Sequence, residues 1–302
     1  MNQTPETYNA FRSGFIAIIG APNVGKSTLL NRMLGQKISI TSEKPQTTRN
    51  RILGVLHRPG AQLIFIDTPG VHKAGRLLNV RIVEQALSAL GDVDAVLLMA
   101  DASSPAPESE DILIKNLRKR KQPVILALNK IDLVKKPNLL SLIDQWANQY
   151  PFKAIIPISA RNGTQVEEIP RTLEEFLPFG PAYYPEDTLT DVPERFIAAE
   201  MIREKAFRLT GQEVPYSIAV TIDSFKEDSG KALVHISATL HVERDSQKGI
   251  IIGKKGSKLK AIGEAARKDI ERMLGTRVFL QLFVRVQKGW SKDSRALNRF
   301  GY

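Results

Sequence analysis

The chain has 302 residues and not one cysteine. That absence removes disulfides, thiolate metal ligands and cysteine nucleophiles together, and it is compatible with a reducing compartment. Long apolar runs are missing as well, since none approaches the roughly 18 residues of a membrane-spanning helix. No Lys or Arg precedes Arg12, which reads against a secretory signal. There is no long-period repeat and no low-complexity tract. With 42% hydrophobic residues the chain can bury ordinary cores, and its length suits two domains.

Acidic residues are scarce in one place. Residues 248–302 hold 4 of them against 14 Lys and Arg, a net +10 in a chain whose total is +11. Residues 1–180 carry +6 and residues 181–247 carry −5. A solvated surface would spread the excess evenly, so the concentration points to a polyanionic partner at the C-terminal end.

What is present begins with Gly20-Ala21-Pro22-Asn23-Val24-Gly25-Lys26-Ser27, a GxxxxGKS loop between the apolar run 15–19 and the helical pattern 28–34. Glycines let backbone N–H groups curl around an anion, and a helix N-terminus adds its partial positive charge at the same point. Lys26 then reaches the β- and γ-phosphates of a nucleotide, and the Ser27 hydroxyl ligates Mg²⁺. Gly20, Asn23, Val24, Gly25 and Thr28 complete the candidate phosphate site.

Asp67-Thr68-Pro69-Gly70 follows the apolar run 63–66, which puts the Asp67 carboxylate at a strand's C-terminal edge, where α/β sheets bind ligands. Its expected role is to hold Mg²⁺ through water, with Gly70 contacting the γ-phosphate. Asn129-Lys130-Ile131-Asp132 closes the run 124–128. The Asp132 carboxylate can accept two hydrogen bonds from guanine, and adenine lacks that pair of donors, so GTP is favoured over ATP. Lys130 packs its stem along the base, and Ser159-Ala160 offers a backbone N–H to the guanine oxygen. Between loop and DTPG lies Pro45-Gln46-Thr47-Thr48-Arg49, where Thr48 is the candidate Mg²⁺ ligand of the triphosphate state. A threonine-rich surface turn would look similar.

The segment 177–185 holds three prolines and a glycine and marks a boundary. Before it, apolar runs at 15–19, 63–66, 95–99, 124–128 and 154–158 alternate with helical patterns such as 80–90 and 112–120, which predicts a mostly parallel sheet covered by helices. After it come a helical pattern at 194–209, strands at 217–225 and 232–242, helical material over 249–274 and a strand at 277–286. The expected division is a flexible tail at 1–13, an α/β nucleotide domain at 14–177, a linker at 178–193, and an α+β domain with a basic tail at 194–302.

Ile250-Ile251-Ile252-Gly253-Lys254-Lys255-Gly256-Ser257 carries the second chemistry. Two glycines admit a close RNA backbone and two lysines neutralise its phosphates, the design of a KH domain; the α-β-β-α-α-β order matches its type II form. Ile252, Gly253, Lys254, Lys255, Gly256, Lys258 and Lys288 are the candidate RNA-binding residues. Trp290 reads either as a packing anchor, which is favoured, or as a stacking platform in a basic tail.

The ordered set GAPNVGKS, TTR, DTPG, NKID and SA resembles the translation-factor-related class of P-loop GTPases over residues 14–176. With the KH pattern added, the chain is similar to the Era-like family of that class along essentially its full length. The resemblance implies hydrolysis of GTP to GDP and phosphate with Mg²⁺. It also implies binding near the 3′ end of 16S ribosomal RNA during maturation of the 30S subunit, action as a monomer, and a cytoplasmic place with peripheral association at the inner membrane. Ras-like switches carry a water-orienting glutamine directly after DxxG, whereas this chain has Val71. In related GTPases an asparagine at the position of Asn23 goes with a K⁺ ion, so the resemblance implies K⁺ as a further cofactor and places Asn23 with Lys26 and Thr48 among the catalytic candidates. An asparagine that only stabilises the loop is the alternative. A GTP-dependent protein whose C-terminal domain binds protein or anionic lipid is the rival from another class.

Overall fold

The computed structural model describes residues 11–41, 51–72, 83, 84, 86, 88–210, 218–228 and 230–300, with the side chains of 298 and 299 excepted. The chain divides into two compact units, with the main boundary between Asp191 and Val192 and with Ile40 and Thr41 grouped with the second unit.

The first unit is built on six strands, β1 (Arg12–Gly20), β2 (Ile52–Arg58), β3 (Ala61–Asp67), β4 (Ala95–Asp101), β5 (Val124–Asn129) and β6 (Ala154–Pro157), in the order β2-β3-β1-β4-β5-β6. Every neighbouring pair is parallel except β2 with β3. The strands β3, β4 and β5 are buried along their whole length, as strands covered on both faces must be. Helices α1 (Lys26–Leu34), α2 (Pro107–Leu117), α3 (Lys136–Gln149) and α4 (Glu168–Glu174) accompany the sheet. Leu98, Leu113, Leu117, Leu126 and Trp146 belong to one core between strands and helices.

Two expectations change here. Arg12 and Ser13, assigned to the tail, open β1, pairing with Ala61 and Gln62. The segment 178–193, assigned to a linker, contains the boundary between the units and packs on the first unit up to it. Gln62 accepts the Tyr183 and Tyr184 N–H groups at 2.7 and 3.0 Å and donates to the Tyr184 carbonyl at 2.7 Å. Further along, the Val55 N–H donates to the Leu189 carbonyl at 2.8 Å, and the Thr190 hydroxyl donates to the Leu53 carbonyl at 2.5 Å. Residues 178–184 thus bond Ser13 of β1 and Gln62 of β3, and residues 188–190 strap the outer edge of β2. An edge strand left open presents unpaired N–H and C=O groups, and the strap covers them. The predicted helix at 80–90 falls partly outside the described residues.

The second unit holds α5 (Glu194–Leu209), β7 (Ala219–Asp228), β8 (Leu233–Val242), α6 (Asp245–Ile252), α7 (Ser257–Leu274), β9 (Arg277–Val286) and a closing helix α8 (Ser294–Arg299). The sheet order is β7-β8-β9; β7 and β8 are antiparallel with a bulge between Ile222 and Ser224, and β8 and β9 are parallel. Burial alternates along β8 and β9, with Val234, Ile236, Ala238, Leu240 and Val278 turned into the helix-covered core. From α7, Ile262, Ala266 and Ile270 enter the same core at helical spacing. Trp290 is fully buried and meets Phe300 edge-on at 5.1 Å, so it anchors the end of the chain by packing.

Candidate functional site

The phosphate loop runs from the end of β1 into α1. Gly25 stands at φ 104, a left-handed conformation in which a side chain is strained, and a Cβ there would collide with the Asn129 amide. Gly70 approaches the same loop from the other side: a Cβ on it would lie 2.6 Å from Pro22 Cα. The Val71 N–H donates to the Gly20 carbonyl at 3.1 Å and fixes that approach. Asn23 also holds a left-handed φ of 64.

Lys26 is folded into the loop, with Nζ donating to the Gly20 and Ala21 carbonyls at 3.2 and 2.9 Å. Burial lowers its pKa from 10.5 to about 8, partly opposed by the charge of Asp67. An ammonium in that setting is short of anionic partners, which a nucleotide's phosphates would supply. Asp67 is fully buried. Its Oδ2 accepts hydrogen bonds from the Ser27 hydroxyl at 2.7 Å and the Ser39 hydroxyl at 2.9 Å. Its Oδ1 is buried with no partner. Burial raises the Asp67 pKa, against the lowering effects of Lys26, Ser27 and Ser39. A buried carboxylate with an orphan oxygen beside two hydroxyls is a donor set that suits a hard dication such as Mg²⁺. Thr68 anchors the turn by donating to the Ile18 carbonyl at 2.8 Å, with Pro69 and Gly70 following. Thr48 and the whole PQTTR segment lie outside the described residues, and Thr28 sits in the first turn of α1.

Sequence reasoning missed Ser39. Asn31 of α1 accepts the Ile38 and Ser39 N–H groups, each at 3.0 Å, and donates to the Ser39 carbonyl at 2.6 Å. This clamp places the Ser39 hydroxyl on Asp67. An asparagine in a short helix followed by a serine eight residues later carries no spacing signal of its own, so only the fold reveals the pair.

The candidate base-recognition residues gather at the ends of β5 and β6. Asn129 donates to the Val24 carbonyl at 2.7 Å and accepts the Ala160 N–H at 2.9 Å. One amide therefore joins phosphate loop, NKID and SA segments into a single site. The Ala160 N–H, expected at the guanine oxygen, is here given to that brace. Ser159 is buried, and its hydroxyl accepts the Asn162 N–H at 3.1 Å. Lys130 pairs with Asp101 at 2.5 Å, and Asp101 is locked in turn by the Ser103 N–H and hydroxyl at 2.9 and 2.7 Å. Asp101 was not singled out from sequence; it fixes where the Lys130 stem lies. Asp132 is exposed and unpaired among the described residues, which leaves its carboxylate open to the two donors expected of guanine, the ring N1–H and the exocyclic amine.

In the second unit, Gly253 (φ 70) and Gly256 (φ 77) bracket Lys254 and Lys255 in a single turn between α6 and α7. Both lysines are exposed, as is Lys288, whereas Ile252 and Lys258 are half-buried. A Cβ on Gly253 would lie 2.7 Å from Lys258 Cβ, so the turn is tight against the start of α7. Backbone and cations meet at one exposed corner, the arrangement a phosphate chain requires. Among the described residues no group of three or more His, Asp or Glu forms a metal cage, and no helix is long and apolar enough to cross a membrane.

Comparison with known proteins gives two family matches: a model described as a 50S ribosome-binding GTPase over residues 15–130 and a KH domain model over residues 213–291. GTPase Era of Geobacter metallireducens is 58% identical over 294 residues, covering 97% of this chain and 99% of its own length. GTPase Era of Syntrophus aciditrophicus is 52% identical over 295 residues, covering 97% and 95%. Among solved structures, Era in complex with MgGDPNP and nucleotides 1506–1542 of 16S ribosomal RNA is similar with a TM-score of 0.93 at 43% identity, over 97% of this chain and 99% of that one. An Aquifex aeolicus Era variant bound to GDP and aluminium fluoride matches to the same degree.

Proposed function

This chain belongs to the Era family of GTPases, and we propose that it is a GTP-driven switch that binds the 3′ end of 16S ribosomal RNA through its KH unit during assembly of the small ribosomal subunit. It is a P-loop GTPase that converts GTP to GDP and phosphate with Mg²⁺. The observation that carries the nucleotide half is the Asn129 brace, which holds phosphate loop and base site in register. Loop N–H groups and the α1 N-terminus bind the phosphates, and Lys26 exchanges two carbonyls for phosphate oxygens. When bound, Mg²⁺ supplies charge neutralisation across those oxygens; Ser27 and Asp67 would hold it, and Thr48 is the third candidate ligand. Val71 is buried and offers no polar group to the attacking water, so catalysis by this chain's own residues rests on preorganised positive charge around the phosphates.

The RNA half rests on the GKKG turn and on the +10 end of the chain. The GTPase family model names the large subunit, but it spans only residues 15–130, whereas the Era complex with 16S RNA is similar over 97% of the chain. The small subunit is therefore the favoured partner. We extend the proposal to a cytoplasmic monomer with peripheral association at the inner membrane, which the Era family membership supports without testing.

Titration of the full chain with an RNA matching the 3′ end of 16S ribosomal RNA tests this reading. Binding should weaken steeply with salt, and Lys254→Ala with Lys255→Ala should weaken it about tenfold or more while leaving GTP hydrolysis unchanged. Binding that ignores both salt and the two lysines would refute it.

A further inference from the structure

The face of the second sheet turned away from α5 and α7 is covered at its His241 end by Phe300, whose ring lies 4.7 Å from that of His241, and the rest of it is not used by the GKKG turn. Along β9 it carries Arg277, Phe279, Gln281, Phe283 and Arg285, all exposed. Phe279 and Phe283 are 50% and 52% exposed, an unusual cost for two large rings on one strand. The register places His235 beside Phe279 and Thr239 beside Phe283, and Lys226 of β7 beside His235. His235 and Phe279 are in ring contact at 5.5 Å. Between the aromatic rows lies a polar row of Ser224, Ser237 and Gln281.

We propose that this face is a second RNA surface, a stacking platform on which Phe279 and Phe283 receive bases of a single strand while Arg277, Arg285 and Lys226 meet its phosphates. The proposal rests on the RNA-binding reading above and adds a surface separate from the GKKG turn. Four residues along a strand set the rings roughly 13 Å apart, which leaves room for separate bases to stack on each. The hydroxyls and the Gln281 amide between them are donors and acceptors for base edges. Charge decides among occupants. The face carries three cations, and its carboxylate Asp223 is already engaged by the Thr239 hydroxyl at 2.7 Å. At the end of β7, Asp228 pairs with Lys231. A second copy of this chain laid on the same face would set these cations against their own counterparts, a like-charge pairing that a polyanion avoids.

The test uses full-length protein and two RNAs: one of about four nucleotides, the length a GxxG turn clamps, and an unstructured one of about 30 nucleotides, long enough for two sites. Phe279→Ala with Phe283→Ala should weaken binding of the long RNA by about tenfold or more, and leave the short RNA and GTP hydrolysis unchanged. The double Tyr replacement should restore binding, since tyrosine also stacks. Arg285→Glu should weaken the long RNA without touching a ring, which keeps the test valid if the Ala variant is poorly folded. Unaltered affinity for the long RNA in the Ala variant and in Arg285→Glu overturns the proposal. So does an effect seen only on vesicles containing phosphatidylglycerol, or only on oligomeric state. Failure of the GKKG reading looks different: Lys254→Ala with Lys255→Ala would then leave the short RNA unaffected.

Discussion

At the residue scale, the nucleotide site is defined by groups held in unfavourable surroundings until a ligand arrives. Lys26 shows the sign of this. Unfolded, it keeps its proton to pH 10.5; folded, burial releases it near 8. Between those values the unfolded chain binds more protons, so stability rises with pH, and below 8 the fold carries the cost of a buried cation. Phosphates beside Nζ should restore the charge. GTP binding near pH 9 should therefore take up about one proton, and near pH 7 almost none, as read from calorimetric enthalpies in buffers of different ionisation heat. Equal uptake at both pH values would contradict the placement of Lys26. The positions of the loop, Asp67, Asn129 and Asp132 at the ends of strands were legible in the sequence, because the chemistry proposed for them needs fixed residue types at such places. Ser39, Asn31 and Asp101 were not, because their roles are to position other groups and any residue of suitable shape could sit at such spacing.

At the element scale, the parallel strands announced themselves as apolar runs, and the glycines and lysines of the GKKG turn fell between two helices as expected. The edge strand β2 was overlooked: Ile52–Arg58 is followed by Pro59-Gly60, with Gly60 at φ 86, a turn signal joining it to β3 that stood next to a more conspicuous polar segment. The contacts of the strap were not legible in the sequence, for a physical reason. Prolines and a glycine do mark a segment outside regular structure, but they do not say whether it is free, and here Gln62 and the edge of β2 bind it. Gln62→Ala leaves two tyrosine N–H groups without their acceptor and should cost about 1–3 kcal/mol. Chemical denaturation should show that loss, together with faster proteolysis between residues 180 and 190. An unchanged transition and cleavage rate would mean that the strap is held elsewhere.

At the scale of the molecule, the two units divide the chemistry. The first binds and hydrolyses GTP, and its charge is modest; the second, with the last 55 residues at +10, is built for a polyanion. A switch requires more than the presence of both, because a ligand shifts an equilibrium only by its differential affinity for two states. Coupling between sites is reciprocal, so GTP must alter RNA affinity by the same factor by which RNA alters GTP affinity. The most direct measurement is the affinity of the full chain for the 16S 3′-end RNA, taken once with GDP and once with a non-hydrolysable GTP analogue at fixed Mg²⁺ and salt. The switch reading predicts affinities that differ by about fivefold or more, and equal affinities would contradict it.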